Sequence, residues 1–242
     1  MALNSDRRHI ALVIAGGCGN RMQEEVPKQF LPIHGVPLIV YTLRAFQRHS
    51  QIDGIVVVCI AEWVERMQEM AAQYGITKLI LVVPGGLTSQ ESTINGVRAL
   101  KESQLASSSD ILLVHDAVRP LISERIITEN IAVCSEKGNA VTVIRGCESF
   151  LYSEDGVSSD AFYNRENMYR VQTPHTFTFG QLVDAFAEAE QKNLVAQSLY
   201  VLMAELHQGP FYFVEGEQKN FKLTYPEDLI FLRIYLEEHS QH

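Results

Sequence analysis

Short runs rich in valine, isoleucine and leucine alternate along this chain with amphipathic stretches of helical length. The apolar runs lie at 9–15, 54–60, 78–83, 110–115, 139–144 and 210–215. Stretches with apolar residues at three- and four-residue spacing lie between most of them, at 36–49, 61–75, 89–103 and 123–138. Nearly continuous apolar strands are typical of a parallel sheet that helices cover on both faces. The alternation therefore predicts an α/β, doubly wound, mostly parallel sheet.

The alternation is interrupted at 146–172, which has no helical period and carries a turn signal at 154–156. An insertion of this length in a compact domain is usually functional or packs against something else. We interpret it as a β-arm that protrudes from a single domain covering residues 1–242. Helices at 179–191, 198–208 and 225–239 are expected after it.

Composition excludes two classes of partner. The chain has 242 residues and a formal net charge of −9, and no basic stripe is present to neutralise a nucleic-acid backbone. No apolar run approaches the roughly 18 residues of a membrane span. We therefore expect a soluble, cytoplasmic protein that binds neither nucleic acid nor membrane. An anionic small ligand remains compatible, since a few cations in one cleft can outweigh the global charge locally.

The stretch AGGCGNRMQEEVPKQF, residues 15–30, follows the first predicted strand. In open α/β sheets, ligands bind at the carboxyl ends of the strands. The loop has no side chain at Gly16, Gly17 and Gly19. Its backbone N–H groups can therefore approach phosphates closely. Two cations, Arg21 and Lys28, follow the glycines and suit a triphosphate. A dinucleotide-binding fingerprint would need glycine in place of Met22.

Asp116 comes directly after the apolar run ILLV and His115, at the carboxyl end of a predicted strand. A carboxylate there is costly unless a cation meets it. Mg²⁺ prefers one or two carboxylates together with phosphate oxygens, so a single aspartate is sufficient. We predict that Asp116 binds Mg²⁺ and that His115 is structural.

Five segments in order along the chain resemble the polyol-phosphate cytidylyltransferases. They are AGGCGNRM…VPKQF at 15–30, PGGLTSQES at 84–92, VHDAVRP at 114–120, RENMYRVQTPHTF at 165–177 and NFKLTYPEDL at 220–229. The resemblance implies a Rossmann-like nucleotidyltransferase that transfers CMP from CTP to a polyol phosphate with Mg²⁺. It implies CTP contacts from Ala15, Gly16, Gly17, Gly19, Gly86, Ser92 and Ala117, and catalytic roles for Arg21, Lys28 and Lys222.

The same resemblance implies how the acceptor is bound. Its phosphate would contact Arg119, Ser149, Arg165 and Thr173. Ser149 and Arg165 belong to the arm at 146–172, which reaches a neighbouring subunit in this family. The resemblance therefore implies a homodimer that is formed through the arm.

Two members of the family are candidates for the specific activity. The arm motif MYRVQTP, at 168–174, is more similar to the ribitol-5-phosphate enzymes than to the 2-C-methyl-D-erythritol 4-phosphate enzymes of isoprenoid synthesis. The motif therefore favours D-ribitol 5-phosphate as the acceptor. The two acceptors share a terminal phosphate and neighbouring hydroxyls, and the branching methyl that only one of them carries is worth only about 1 kcal/mol of discrimination. Ser89 stands where the family has an arginine, which removes one cation near the nucleotide.

Two other classes of function are compatible with the sheet. One is an NAD-dependent oxidoreductase, which Met22 and the absence of the fingerprint spacing disfavour. The other is a nucleotide-binding relative without turnover, which Ser89 and the 195–198 stretch VAQS would permit. Pyrophosphate release from CTP distinguishes the enzyme from both.

Overall fold

The apolar runs form a sheet flanked by helices in the computed structural model, which describes residues 7–17 and 26–239. The strands are β1 (His9–Ala15), β2 (Pro32–Ile33), β3 (Val36–Pro37), β4 (Gly54–Cys59), β5 (Leu79–Pro84), β6 (Ile111–Asp116), β7 (Asn139–Arg145), β8 (Leu151–Tyr152), β9 (Ala161–Phe162), β10 (Tyr169–Thr178) and β11 (Phe213–Glu215). The helices are α1 (Leu38–Arg48), α2 (Val64–Gln73), α3 (Ser89–Glu102), α4 (Glu124–Lys137), α5 (Phe179–Gln191), α6 (Leu199–Glu205) and α7 (Pro226–His239). No helix in these ranges is both long and apolar enough to cross a bilayer.

Strand β1 lies at the centre of the main sheet. Among the described residues, seven strands pair in the order β11-β7-β10-β6-β1-β4-β5. Strand β1 is parallel to β4 on one side and to β6 on the other. The chain therefore proceeds outward from β1 through β4 and β5, then returns to β6 on the opposite side. This reversal is a topological switch point, so the carboxyl end of β1 is where the fold opens a crevice for a ligand.

Alternate residues of the central strands face two separate apolar layers, as expected for strands covered on both faces. Ala11 and Val13 belong to the cluster that contains the buried residues of α1, α2 and α4. Ile10 and Leu12 belong to the cluster that contains those of α3, α5 and α6. All six residues of β4 are buried. The doubly wound, mostly parallel α/β sheet predicted from the sequence is confirmed.

Strand β10 differs from the sequence prediction. It pairs antiparallel with both β6 and β7, so it separates two strands that run in the same direction. The sequence pattern assigns residues 169–172 to the arm, but in the structure they are part of this strand and of the main sheet. What protrudes is the shorter segment 146–168, in which β8 and β9 form a separate two-stranded sheet. The last predicted strand is also shorter than 210–215, since β11 begins at Phe213.

The close approach of α3 to the sheet gives the first testable prediction. A Cβ added to Gly96 would lie 2.6 Å from Leu12 Cδ1 and 2.8 Å from Val58 Cγ2, and both neighbours are fully buried. We expect Gly96→Val to lower the free energy of unfolding by about 1–3 kcal/mol, because the extra carbons must push α3 off β1 and β4. Urea unfolding measures this change.

Lys101→Val on the exposed side of α3 is the matched control. It also introduces valine into α3, at a helix-propensity cost under about 1 kcal/mol, without the overpacking. Equal losses in the two variants would contradict the close packing of α3.

Candidate active site

A cavity of about 410 Å³ lies at the carboxyl edge of β1. It brings together seven of the residues predicted to bind the nucleotide, catalyse the reaction or bind the metal: Ala15, Gly16, Gly17, Lys28, Ser92, Asp116 and Lys222. These residues come from four separate parts of the sequence. The switch point therefore gathers the groups that the motifs predicted.

Two glycines allow the ends of β1 and β5 to approach the start of α3. A Cβ on Gly16 would lie 2.7 Å from Ser92 Oγ, and a Cβ on Gly85 would lie 2.9 Å from the same atom. Ser92 Oγ accepts the N–H of Gly86 at 3.1 Å. Only glycine fits at positions 16 and 85 without displacing Ser92. The absence of a side chain at these two positions is therefore required by packing.

Asp116 is bound by cations on both carboxylate oxygens. Lys222 Nζ donates to Oδ1 at 2.9 Å, and Arg119 Nε donates to Oδ2 at 2.9 Å. Burial alone would raise the pKa of the Asp116 carboxyl, but the attraction and hydrogen bonds of Lys222 and Arg119 outweigh burial and hold the pKa well below its usual range. Asp116 is therefore an anion at neutral pH.

His115 and Thr173 fix the backbone of Asp116. Thr173 Oγ1 accepts the Asp116 N–H at 3.1 Å. His115 is fully buried, and burial lowers its pKa to about 4, so the ring is neutral. Its Nε2–H donates to the Arg119 carbonyl at 3.2 Å, which leaves Nδ1 to accept the Thr173 hydroxyl at 3.0 Å. The structural role predicted for His115 agrees with these contacts.

The segment before α7 carries Lys222 into the cavity and is held from several sides. Lys28 Nζ donates to the Leu223 carbonyl at 2.8 Å. Arg119 Nη1 donates to the Asn220 carbonyl at 2.8 Å, and Asn220 Nδ2 donates to the Thr173 carbonyl at 2.9 Å. Lys28 and Arg119, two of the predicted cations, thus position the segment that carries Lys222, another of them.

The other predicted site residues have different locations. Of the described residues, Gly86 and Ala117 are not in the cavity lining, and the Ala117 N–H and carbonyl bond to Ile14 and Thr42 inside the protein. Arg119 lines a second, adjoining cavity of about 680 Å³ that also includes Lys222. The predictions for Gly19 and Arg21 lie outside the described residues.

Ser149 and Arg165 are exposed on the protruding segment 146–168. Neither belongs to the linings of these two cavities, as far as the described part of the chain shows.

Sequence reasoning missed two buried amides at the site. Gln29, only 1% exposed, donates to the carbonyls of Ala15 and Gly17. Asn220 is fully buried and connects the Lys222 segment to β10. Both belong to motifs that were recognised, PKQF and NFKLT, but neither carries charge. Their position beside a lysine in a recognised motif was the signal in the sequence that could have identified them as site residues.

Asp116 is the candidate metal ligand. Within the described ranges, no three His, Cys, Asp or Glu side chains are placed to hold a metal ion together. Lys222 and Arg119 each donate to one carboxylate oxygen of Asp116, and a carboxylate oxygen can accept more than one contact. This donor set fits a Mg²⁺ that shares the phosphate oxygens of a bound nucleotide, since Mg²⁺ is commonly held by one or two carboxylates plus phosphates.

The chain is similar to known proteins along nearly its whole length. A family model described as 2-C-methyl-D-erythritol 4-phosphate cytidylyltransferase matches residues 9–238. Ribitol-5-phosphate cytidylyltransferase of Lacticaseibacillus paracasei is 37% identical, covering 94% of this chain and 97% of that protein. The enzyme of the same name from Vibrio parahaemolyticus is 31% identical, with 95% and 96% covered.

Solved structures agree with the sequence relatives. The 2-C-methyl-D-erythritol 4-phosphate cytidylyltransferase of Thermus thermophilus superposes with a TM-score of 0.72 at 27% identity, over 94% of this chain and 98% of that one. The 4-diphosphocytidyl-2C-methyl-D-erythritol synthase of Anaerococcus prevotii shares the fold with a TM-score of 0.81 at 24% identity, over 96% of each chain. The chain belongs to the IspD family of cytidylyltransferases.

Proposed function

We propose that this protein transfers CMP from CTP to D-ribitol 5-phosphate, giving CDP-ribitol and pyrophosphate. The observation that carries the proposal is the position of Asp116 and its two cations. Lys222 lines both the 410 Å³ cavity and the 680 Å³ cavity, so it lies where a nucleotide in one would meet an acceptor in the other. A transferase that joins two phosphorylated substrates needs such a shared boundary.

The nucleotide occupies the smaller cavity in this proposal. Gly16 and Gly17 offer backbone to the phosphates, and Lys28 and Lys222 offer positive charge. A phosphate oxygen of the acceptor attacks the α-phosphorus of CTP, and the bond to the pyrophosphate oxygen breaks. The attacker is already an anion, so alignment and charge stabilisation supply most of the rate. Arg21 is expected to add a further cation.

Mg²⁺ would be held by Asp116 and the phosphates of CTP. When bound, it would offset negative charge on the phosphate oxygens. The Asp116 carboxylate is suited to this role because Lys222 and Arg119 keep it ionised.

The acceptor phosphate is expected near Arg119, which lines the larger cavity. Thr173 was also predicted to contact it, but the Thr173 hydroxyl hydrogen would first have to leave His115 Nδ1. Ser149 and Arg165 would come from the arm of a second copy.

Apolar surface on the arm supports a homodimer in this proposal. Leu151, Val157 and Phe162 are 75%, 91% and 80% exposed. Phe231 and Ile234 of α7 are 65% and 50% exposed and line the 680 Å³ cavity. Exposed apolar groups of this kind mark interaction sites. Contact between the arm of one copy and the α7 region of the other would cover both surfaces.

The choice of ribitol 5-phosphate rests on the sequence relatives and on the motif MYRVQTP, most of which lies in β10. The alternative acceptor, 2-C-methyl-D-erythritol 4-phosphate, is favoured by the description of the matching family model. The chemistry at the two phosphates is the same for both acceptors. The polyol alone distinguishes them.

Pyrophosphate release with CTP, Mg²⁺ and each acceptor tests the proposal directly. We expect kcat/KM for ribitol 5-phosphate to exceed that for 2-C-methyl-D-erythritol 4-phosphate by about fivefold or more, a difference of about 1 kcal/mol. The reverse order would assign the isoprenoid precursor. CTP binding without release for either acceptor would indicate a relative without turnover.

Lys28→Ala tests the electrostatic role that is assigned to Lys28. We expect kcat to fall at least about a hundredfold, because a charge contact to the transition state is removed. Lys137→Ala, which removes an exposed lysine at the end of α4, is the matched control and should leave kcat unchanged. A loss of about tenfold or less in Lys28→Ala would contradict the assigned role.

Phe162→Asp tests the arm as the dimer contact. Burying an unpaired carboxylate in an apolar interface is costly, so the variant should sediment as a monomer at concentrations where the wild type is a dimer. Turnover should fall with it if the partner's arm completes the acceptor site. Gln68→Asp, on the exposed side of α2, adds the same charge elsewhere and should remain dimeric. A dimeric Phe162→Asp variant would remove the arm from the interface.

A further inference from the structure

We propose that Gln29 is a positioning residue that sets the backbone of the glycine loop for phosphate binding. The inference rests on the proposed function, because it concerns how the CTP cavity is built. The Gln29 side chain is buried, 1% exposed, at the floor of the cavity that also contains Gly16 and Gly17. Its role is to orient other groups.

The Gln29 carboxamide uses its nitrogen on two carbonyls of the loop. Nε2 donates to the Ala15 carbonyl at 2.6 Å and to the Gly17 carbonyl at 3.1 Å. A glutamine amide has two N–H donors, and the two carbonyls account for both. The carbonyls of Ala15 and Gly17, which lie on either side of the Gly16–Gly17 peptide unit, are therefore tied to one side chain.

The amide is itself held in place by the turn that carries it. Residues Lys28–Phe30 form a short 3₁₀ turn. The Phe30 ring stacks on Trp63 with centroids 4.1 Å apart and is 4% exposed. The Lys28 ammonium contacts the Leu223 carbonyl on another side of the same turn. Gln29 thus connects a well-packed turn to a loop whose glycines place few limits on its backbone conformation.

The direction of these bonds favours anions in the cavity. In a trans peptide the N–H points away from the C=O of the same unit. Since the Ala15 carbonyl points to the Gln29 amide, the Gly16 N–H points away from that amide. Carbonyl oxygens carry partial negative charge and would repel phosphates if they faced the ligand, whereas N–H groups attract them. Gln29 keeps the carbonyls occupied and the polarity of the loop fixed.

Two substitutions of similar size separate this role from simple space filling. Gln29→Glu keeps the shape but replaces the donors with a carboxylate, which would face two carbonyl oxygens. Gln29→Met fills the space with neither donor nor charge. Loop contacts to the phosphates act on bound CTP before and during reaction, so their loss should raise KM for CTP more than it lowers kcat.

Steady-state kinetics with Mg²⁺, CTP and ribitol 5-phosphate provides the test. In Gln29→Met we expect KM for CTP to rise about tenfold or more, with KM for the acceptor and kcat within about threefold of wild type. Gln29→Glu should show the larger rise. CTP affinity within about threefold of wild type in both variants, with normal wild-type turnover, would overturn the inference alone. A wild type that neither binds CTP nor releases pyrophosphate would overturn the proposed function first.

A measurement on the wild type covers the case in which the variants do not fold. The side-chain amide hydrogens of Gln29 should exchange slowly with solvent in ¹⁵N NMR spectra, because both are hydrogen-bonded and buried. Rapid exchange of this amide in the folded protein would contradict the two contacts and the inference with them.

Discussion

The ion pairs of Asp116 with Lys222 and Arg119 connect the end of a central strand to a segment more than a hundred positions further along the chain. Both cations donate to the same part-buried carboxylate, and the carboxylate stays charged because of them. Lys222 lines both cavities, whereas Asp116 lines the smaller one and Arg119 the larger one. The geometry of the cleft therefore depends on the charge balance among these three groups.

Hydrophobic periodicity was enough to predict the parallel strands and most helices, because two-sided burial leaves a strong pattern in the residues of β1 and β4. The pattern could not reveal β10. Its residues include Arg170, Gln172 and Thr173, whose polar groups contact Gln218, Glu217, Asn220 and His115. A strand whose side chains form polar contacts with distant segments lacks the alternation that marks a strand in sequence.

The site was predictable to the extent that its groups are charged or lack a side chain. Gly16, Lys28, Asp116 and Lys222 could be named from their motifs, and the structure places all four at one cavity. The buried amides of Gln29 and Asn220 could not be assigned a role, since what they do depends on which carbonyls lie within reach. That information is set by tertiary contacts between segments 14 and 47 positions apart.

The antiparallel placement of β10 has a consequence for how the molecule is assembled. The strand is inserted between β6 and β7, which precede it in the chain. Until a nascent polypeptide has emerged past residue 178, the gap between those two strands has no occupant, and their unpaired edges are open templates for wrong pairing. Completion of the sheet is thus a late, long-range event during synthesis. The candidate cleft, in which Thr173 of this strand accepts the Asp116 N–H, can be completed only afterwards.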